Sequence, residues 1–164
     1  MNRRRARTWP GILLAACANL ITTVAAGAEQ LERSRRLNAE ETGCLFELMR
    51  ASDWPDASAS LLEKLIAEAV VSRTDLNHGR REDYVYIIHD FGWCGSAGCK
   101  LLIGERRNDG VCHLLYDGHG DDEITILRRN DNGYRRLYTQ CEIRFDGRQY
   151  QQIHPDCPTL DVQH

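Results

Sequence analysis

The sequence predicts an α+β domain, with two N-terminal helices packed on an antiparallel β-meander of five to six strands. Three observations carry this. Apolar residues recur at helical spacing between residues 39 and 72. From Asp83 onward the chain changes to short runs rich in β-branched and aromatic residues. Three turns separate neighbouring runs: Asn108-Asp109-Gly110, Asp131-Asn132-Gly133 and Asp146-Gly147. Each has a glycine after Asp or Asn, which supplies the positive φ of a tight hairpin.

Residues 1–28 read as an export signal. Arg3, Arg4, Arg5 and Arg7 form a basic end, Gly11 to Ala26 is apolar, and Ala26-Gly27-Ala28 is an A-x-A cleavage site before Glu29. The apolar run is shorter than the roughly 20 residues of a spanning helix, and no later run replaces it. Leu14-Ala15-Ala16-Cys17 also resembles a lipobox, which would make Cys17 an acylated N-terminus. The residues after Cys17 stay apolar where a lipoprotein carries a polar tether, so periplasmic or secreted export is expected. Residues 29–164 then form a single disulfide-containing domain.

Asn38 and Glu41 form a capping box that opens a helix over 39–51, with Thr42, Leu45, Leu48 and Met49 on one side. Asp53-Trp54-Pro55 ends it. Ser60 and Glu63 form a second box, and Leu61, Leu62, Leu65, Ile66, Ala69 and Val70 make an apolar stripe, so a helix is expected over 60–72. The strands expected are Tyr84–Ile88, Lys100–Ile103, Val111–Tyr116, Glu123–Arg128, Arg135–Phe145 and Arg148–Ile153. A two-residue turn at Asp146-Gly147 would set Phe145 against Arg148 and Ile143 against Tyr150. Cys141, Ile143 and Phe145 then share a buried face, and Glu142 and Arg144 a wet one.

Removing the signal takes four of the 21 basic residues and none of the 24 acidic ones, so the formal charge moves from −3 to −7. That excludes nucleic acid as the expected partner, because its binding rests on clustered positive charge. Of seven cysteines, six remain: Cys44, Cys94, Cys99, Cys112, Cys141 and Cys157. An even number in an exported chain of this size predicts disulfides, in one of 15 pairings. A zinc site wants two close cysteine pairs, and only Cys94 and Cys99 form one. The loop between them, Gly95-Ser96-Ala97-Gly98, tolerates a tight reversal, so these two are expected to bond to each other in a structural role. A reactive pair would need a neighbouring cation, and along the chain only Lys100 stands next to it. Ser96 is not in a nucleophile elbow, since Cys94 occupies the first glycine position of G-x-S-x-G.

Two further segments carry candidate ligands. Asp75-Leu76-Asn77-His78-Gly79-Arg80-Arg81-Glu82-Asp83 has the outline of a calcium loop, with Asp75, Asn77 and Asp83 as metal candidates. Gly79 stands where a carboxylate is usual and Arg80 where glycine is usual, so an Asx-type turn is expected and no cofactor. Asp117-Gly118-His119-Gly120-Asp121-Asp122-Glu123 reads as a solvated hairpin tip able to hold a cation or a basic partner, with Asp117, His119, Asp121, Asp122 and Glu123 as candidates. The histidines form no H-E-x-x-H or H-x-H pattern of a zinc enzyme.

In order, these segments resemble a group of small exported bacterial β-rich proteins. The group has a DLN-x-D-G-x-x-D-Y entry, a C-G-[ST]-x-G-C loop and a closing aromatic-[DN]-G-x-x-Y hairpin. Here these are Asp75 to Val85, Cys94 to Cys99 and Phe145 to Tyr150. The resemblance spans residues 75–153 and implies a periplasmic β-rich domain without implying an activity. The function expected is that of a non-enzymatic binding or inhibitor-type domain with a protein partner in the cell envelope. The alternative is an envelope hydrolase, or its accessory, using the 117–123 acidic segment.

Overall fold

The computed structural model describes residues 29–52, 58–90, 92 and 94–153. The expectations for the leader, its cleavage site, Cys17, the Asp53-Trp54-Pro55 stop and Cys157 lie outside these residues. In chain order the elements are β1 (Glu29–Gln30), α1 (Ala39–Ala51), α2 (Ala59–Ala67), β2 (Ala69–Thr74) and β3 (Asp83–Ile88). They continue with β4 (Cys99–Arg106), β5 (Cys112–Gly120), β6 (Thr125–Asp131), β7 (Tyr134–Tyr138), β8 (Glu142–Phe145) and β9 (Tyr150–Gln152).

Helix α1 starts at the expected box: Asn38 Oδ1 accepts from the Glu41 amide at 2.9 Å, and Glu41 accepts from the Asn38 amide at 2.6 Å. Leu45, Leu48 and Met49 on its inner face are fully buried. Helix α2 differs from expectation at both ends. Its cap is Ser58, whose Oγ accepts from the Leu61 amide, and Ser60 lies within the first turn. The helix stops at Ala67, and the apolar run continues as β2. Val70, Val71 and Thr74 are β-branched and gain more from pairing with β3 than from a further helical turn.

The strands form two open antiparallel sheets rather than one meander. The first has the order β2-β3-β4-β5, and the second β1-β6-β7-β8-β9. The helices cover one face of the first sheet, where Leu45, Leu48, Met49 and Leu65 meet Tyr84, Tyr86, Ile88 and Leu102. Its other face carries Val85, Ile87, Leu101 and Ile103, which pack on Ile126, Leu137, Ile143 and Phe145 of the second sheet. With both faces covered, all six residues of β3 are buried. Gly104 lets α1 come close, because a Cβ there would fall 2.7 Å from Leu48 Cδ1.

The expected turns at 108–110 and 131–133 connect β4 to β5 and β6 to β7, with positive φ at Gly110, Asn132 and Gly133. The strand expected over Arg135–Phe145 is two strands, broken at Thr139, whose amide bonds to Cys141 O. The last hairpin has four turn residues rather than two. Asp146 accepts from the amides of Arg148 and Gln149, and the pairs are Phe145 with Tyr150 and Ile143 with Gln152. The slip is by two residues, so the faces survive: Cys141, Ile143 and Phe145 are buried and Arg144 is exposed. Cys44 bonds Cys112, fastening α1 to β5, and Cys94 bonds Cys99 as expected. Cys141 is also disulfide-bonded. Among the described residues, no helix is long and apolar enough to cross a membrane.

Candidate functional site

The site lies where β3 hands over to β4. Past Ile88 the chain is pinned by the His89 amide, which donates to Glu68 O at 3.1 Å. Asp90 follows, accepting from Lys64 at 2.5 Å and from the Gly92 amide at 2.8 Å. Those two donors hold its carboxylate below the usual range. Asp90 O in turn accepts from the Cys94 amide. The chain then reverses in one tight hairpin. Gly95 and Gly98 exchange two backbone hydrogen bonds, at 2.8 and 3.0 Å, around Ser96 and Ala97. Cys94 and Cys99 face each other across the next position with Cα atoms 3.9 Å apart. Gly98 has φ +89, and a Cβ on it would fall 2.1 Å from Gly120 O, so only glycine lets this hairpin lie against the end of β5.

The fold brings His89 to this hairpin. His89 Nδ1 is 3.9 Å from Cys99 Sγ, and His89 Nε2 is 3.4 Å from Asp122 Oδ1. Cys94 is exposed and Cys99 half-buried. Among the described residues, one group of three His, Cys, Asp or Glu ligand atoms lies within 4.8 Å of one another: His89, Cys94 and Cys99. With the sulfurs bonded to each other, they offer no thiolate to an ion. In sequence, His89 stands five residues before Cys94, directly after a strand. Its approach to Asp122, 33 residues on, leaves no local signal.

Beside this hairpin is a concavity of about 440 Å³ lined by Gly95, Gly98, Cys99, Gly120, Asp121, Asp122 and Glu123. The acidic segment is not the hairpin tip expected. Asp117 and His119 belong to β5 and pair in register with Leu102 and Lys100 of β4. Asp117 forms an ion pair with the buried Lys100. Burial, and then the charge of Lys100, hold the half-buried His119 imidazole below its usual value. Only Asp121, Asp122 and Glu123 form an exposed loop. There Asp121 accepts from Gln140, its amide donates to Thr139 Oγ1, and Arg33 donates to Asp122 O.

The 75–83 segment folds on itself as an Asx-type turn. Asp75 accepts from the amides of Gly79 and Arg80, and Asn77 Oδ1 accepts from Gly79. His78 and Arg80 both take positive φ. Asp83 closes this segment at the first position of β3. Its Oδ2 accepts from the Leu76 amide at 2.8 Å, and its Oδ1 is buried with no hydrogen-bond partner. Burial pushes this carboxyl up to about 7, reinforced by Glu105 and Asp75. Glu105 is held by Asn77 Nδ2 and Tyr134 OH, both at 2.9 Å. Asp75 and Asn77 thus turn oxygens to amides of their own loop, while Asp83 spends one oxygen on the Leu76 amide.

Compared with family models, curated proteins and solved structures, the chain matches none.

Proposed function

We propose that the protein is an exported binding domain, periplasmic or secreted, that takes a basic segment of a partner protein in the concavity beside the Cys94–Cys99 hairpin. One observation carries this reading: three exposed carboxylates, Asp121, Asp122 and Glu123, rim a hollow whose other walls are largely glycine. Gly95, Gly98 and Gly120 present backbone without side chains, so a partner chain can approach closely while its cationic groups meet the rim. A mature charge of −7 would steer such a partner toward the domain. The disulfides, the leader and the resemblance to small exported bacterial proteins support the compartment. The hydrolase alternative would use the same three carboxylates as acid or base. A general acid at neutral pH needs a carboxyl sheltered from water, and these side chains are exposed.

The test is titration of the mature protein with a fluorescent arginine- and lysine-rich peptide at low and physiological salt. The triple variant Asp121→Asn/Asp122→Asn/Glu123→Gln should weaken binding about tenfold, since each rim charge contributes less than about 1 kcal/mol. Equal neutralisation elsewhere, at the exposed Glu32, Glu63 and Glu82, should weaken it far less. Equal losses in the two variants would show that only net charge matters and would end this assignment.

A further inference from the structure

We propose that Cys94–Cys99 is an exchangeable disulfide, with His89 as the proton donor to Cys99 and Asp122 as the residue that positions His89. This does not depend on the binding reading. Along the chain, Lys100 is the only cation beside the pair, and its ammonium is committed to Asp117. The fold supplies His89 instead, 3.9 Å from Cys99 Sγ through one ring nitrogen and 3.4 Å from Asp122 through the other. With a proton on each nitrogen, the ring donates to both. The two residues differ in exposure, Cys94 being exposed and Cys99 half-buried with its sulfur beside the imidazole. That asymmetry assigns their roles.

An external thiol, having lost its proton to solvent, attacks Cys94 Sγ. A new S–S bond forms there and the Cys94–Cys99 bond breaks. Cys99 leaves with the electron pair and takes a proton from His89 Nδ1, and the imidazole recovers one from solvent. A second external thiolate attacks the substrate sulfur of the mixed disulfide and releases Cys94, which takes a proton from water. Two external thiols are oxidised to one disulfide, and the protein disulfide is reduced to two thiols. The co-reactant is any accessible thiol or dithiol. Cys44–Cys112 lacks these features: both cysteines are buried, at 2% and 4% exposure, within the helix-facing core.

The experiment uses the mature protein in glutathione buffers of graded ratio, quenched with iodoacetamide and mapped by mass spectrometry. Cys94–Cys99 should open at ratios that leave Cys44–Cys112 closed. The opening rate, corrected for the glutathione thiolate present, should carry an extra pH-dependent limb. His89→Ala should remove that limb and slow opening at least tenfold near pH 7, with circular dichroism and the 44–112 bond unchanged. Asp122→Asn should slow opening less than His89→Ala and keep the limb, because the imidazole loses its positioning partner and stays beside Cys99. His89→Gln, which keeps a polar side chain that does not titrate, should behave as His89→Ala does. If Cys94–Cys99 resists reduction as long as Cys44–Cys112, or if the His89 variants open at the wild-type rate with the wild-type pH profile, the assignment is wrong.

Discussion

Removing the Cys44–Cys112 bond should destabilise the protein about twice as much as removing Cys94–Cys99. The two links close loops of very different length, 68 and 5 residues apart in sequence. In the chain-entropy account a cross-link acts on the unfolded state, and its contribution grows with the logarithm of the loop. For 68 residues this gives about 4 kcal/mol, and for 5 residues about 2 kcal/mol. The double variants Cys44→Ala/Cys112→Ala and Cys94→Ala/Cys99→Ala isolate the two terms. Removing two buried sulfurs from the helix-facing core adds a cavity cost to the first and little to the second, so the difference should only widen. A loss of about 4 kcal/mol is a large share of the 5–15 kcal/mol that holds a domain folded. Equilibrium urea denaturation measures both. The long-loop variant should also have the larger m-value, because its unfolded chain expands further once the tether between α1 and β5 is gone. Equal losses, or a larger loss from the 94–99 variant, would refute the loop-length argument and mean that the short link stabilises through native contacts.

Asp83 should make the protein less stable as pH rises from about 4 to about 7. Its folded-state value of about 7 lies above the unfolded carboxylate value, so the native state holds a proton that the unfolded state releases over that window. The slope should approach 1.4 kcal/mol per pH unit, and Asp83→Asn, which keeps an acceptor for the Leu76 amide, should flatten it and be the more stable protein at pH 8 in urea titrations. An Asn variant that is weaker than wild type at pH 8 would count against this. Gly98→Ala should cost about 3 kcal/mol or more, from positive φ and a Cβ that collides with Gly120 O, whereas Gly95→Ala, whose Cβ meets nothing within 4 Å, should cost under about 1 kcal/mol. Similar thermal shifts for the two would contradict the close approach of this hairpin to β5.

Much of the local structure was legible because its causes lie within four residues. The Asn38–Glu41 box, the buried face of α1, and the glycine turns at Gly110 and Gly133 are local hydrogen bonds and dihedral preferences, and they stand where the sequence places them. The Cys94–Cys99 bond was legible for the same reason, since only small residues separate the pair. The errors share another cause. Val70 and Val71 lie in a strand buried on both faces, so their run has no alternation to distinguish it from a helical stripe. The break at Thr139 and the pairing of Phe145 with Tyr150 follow from how the strands meet across the second sheet. Asp117 and His119 look like an acidic tip by composition, yet pairing with β4 draws them into a strand and sets Asp117 against Lys100. The candidate site shows the division most sharply. Its cysteines and its carboxylates are each a visible cluster in the chain. Bringing His89 between Cys99 and Asp122 takes the end of β3, the hairpin and the loop after β5 together, and contacts over such separations arise from packing rather than from any local preference.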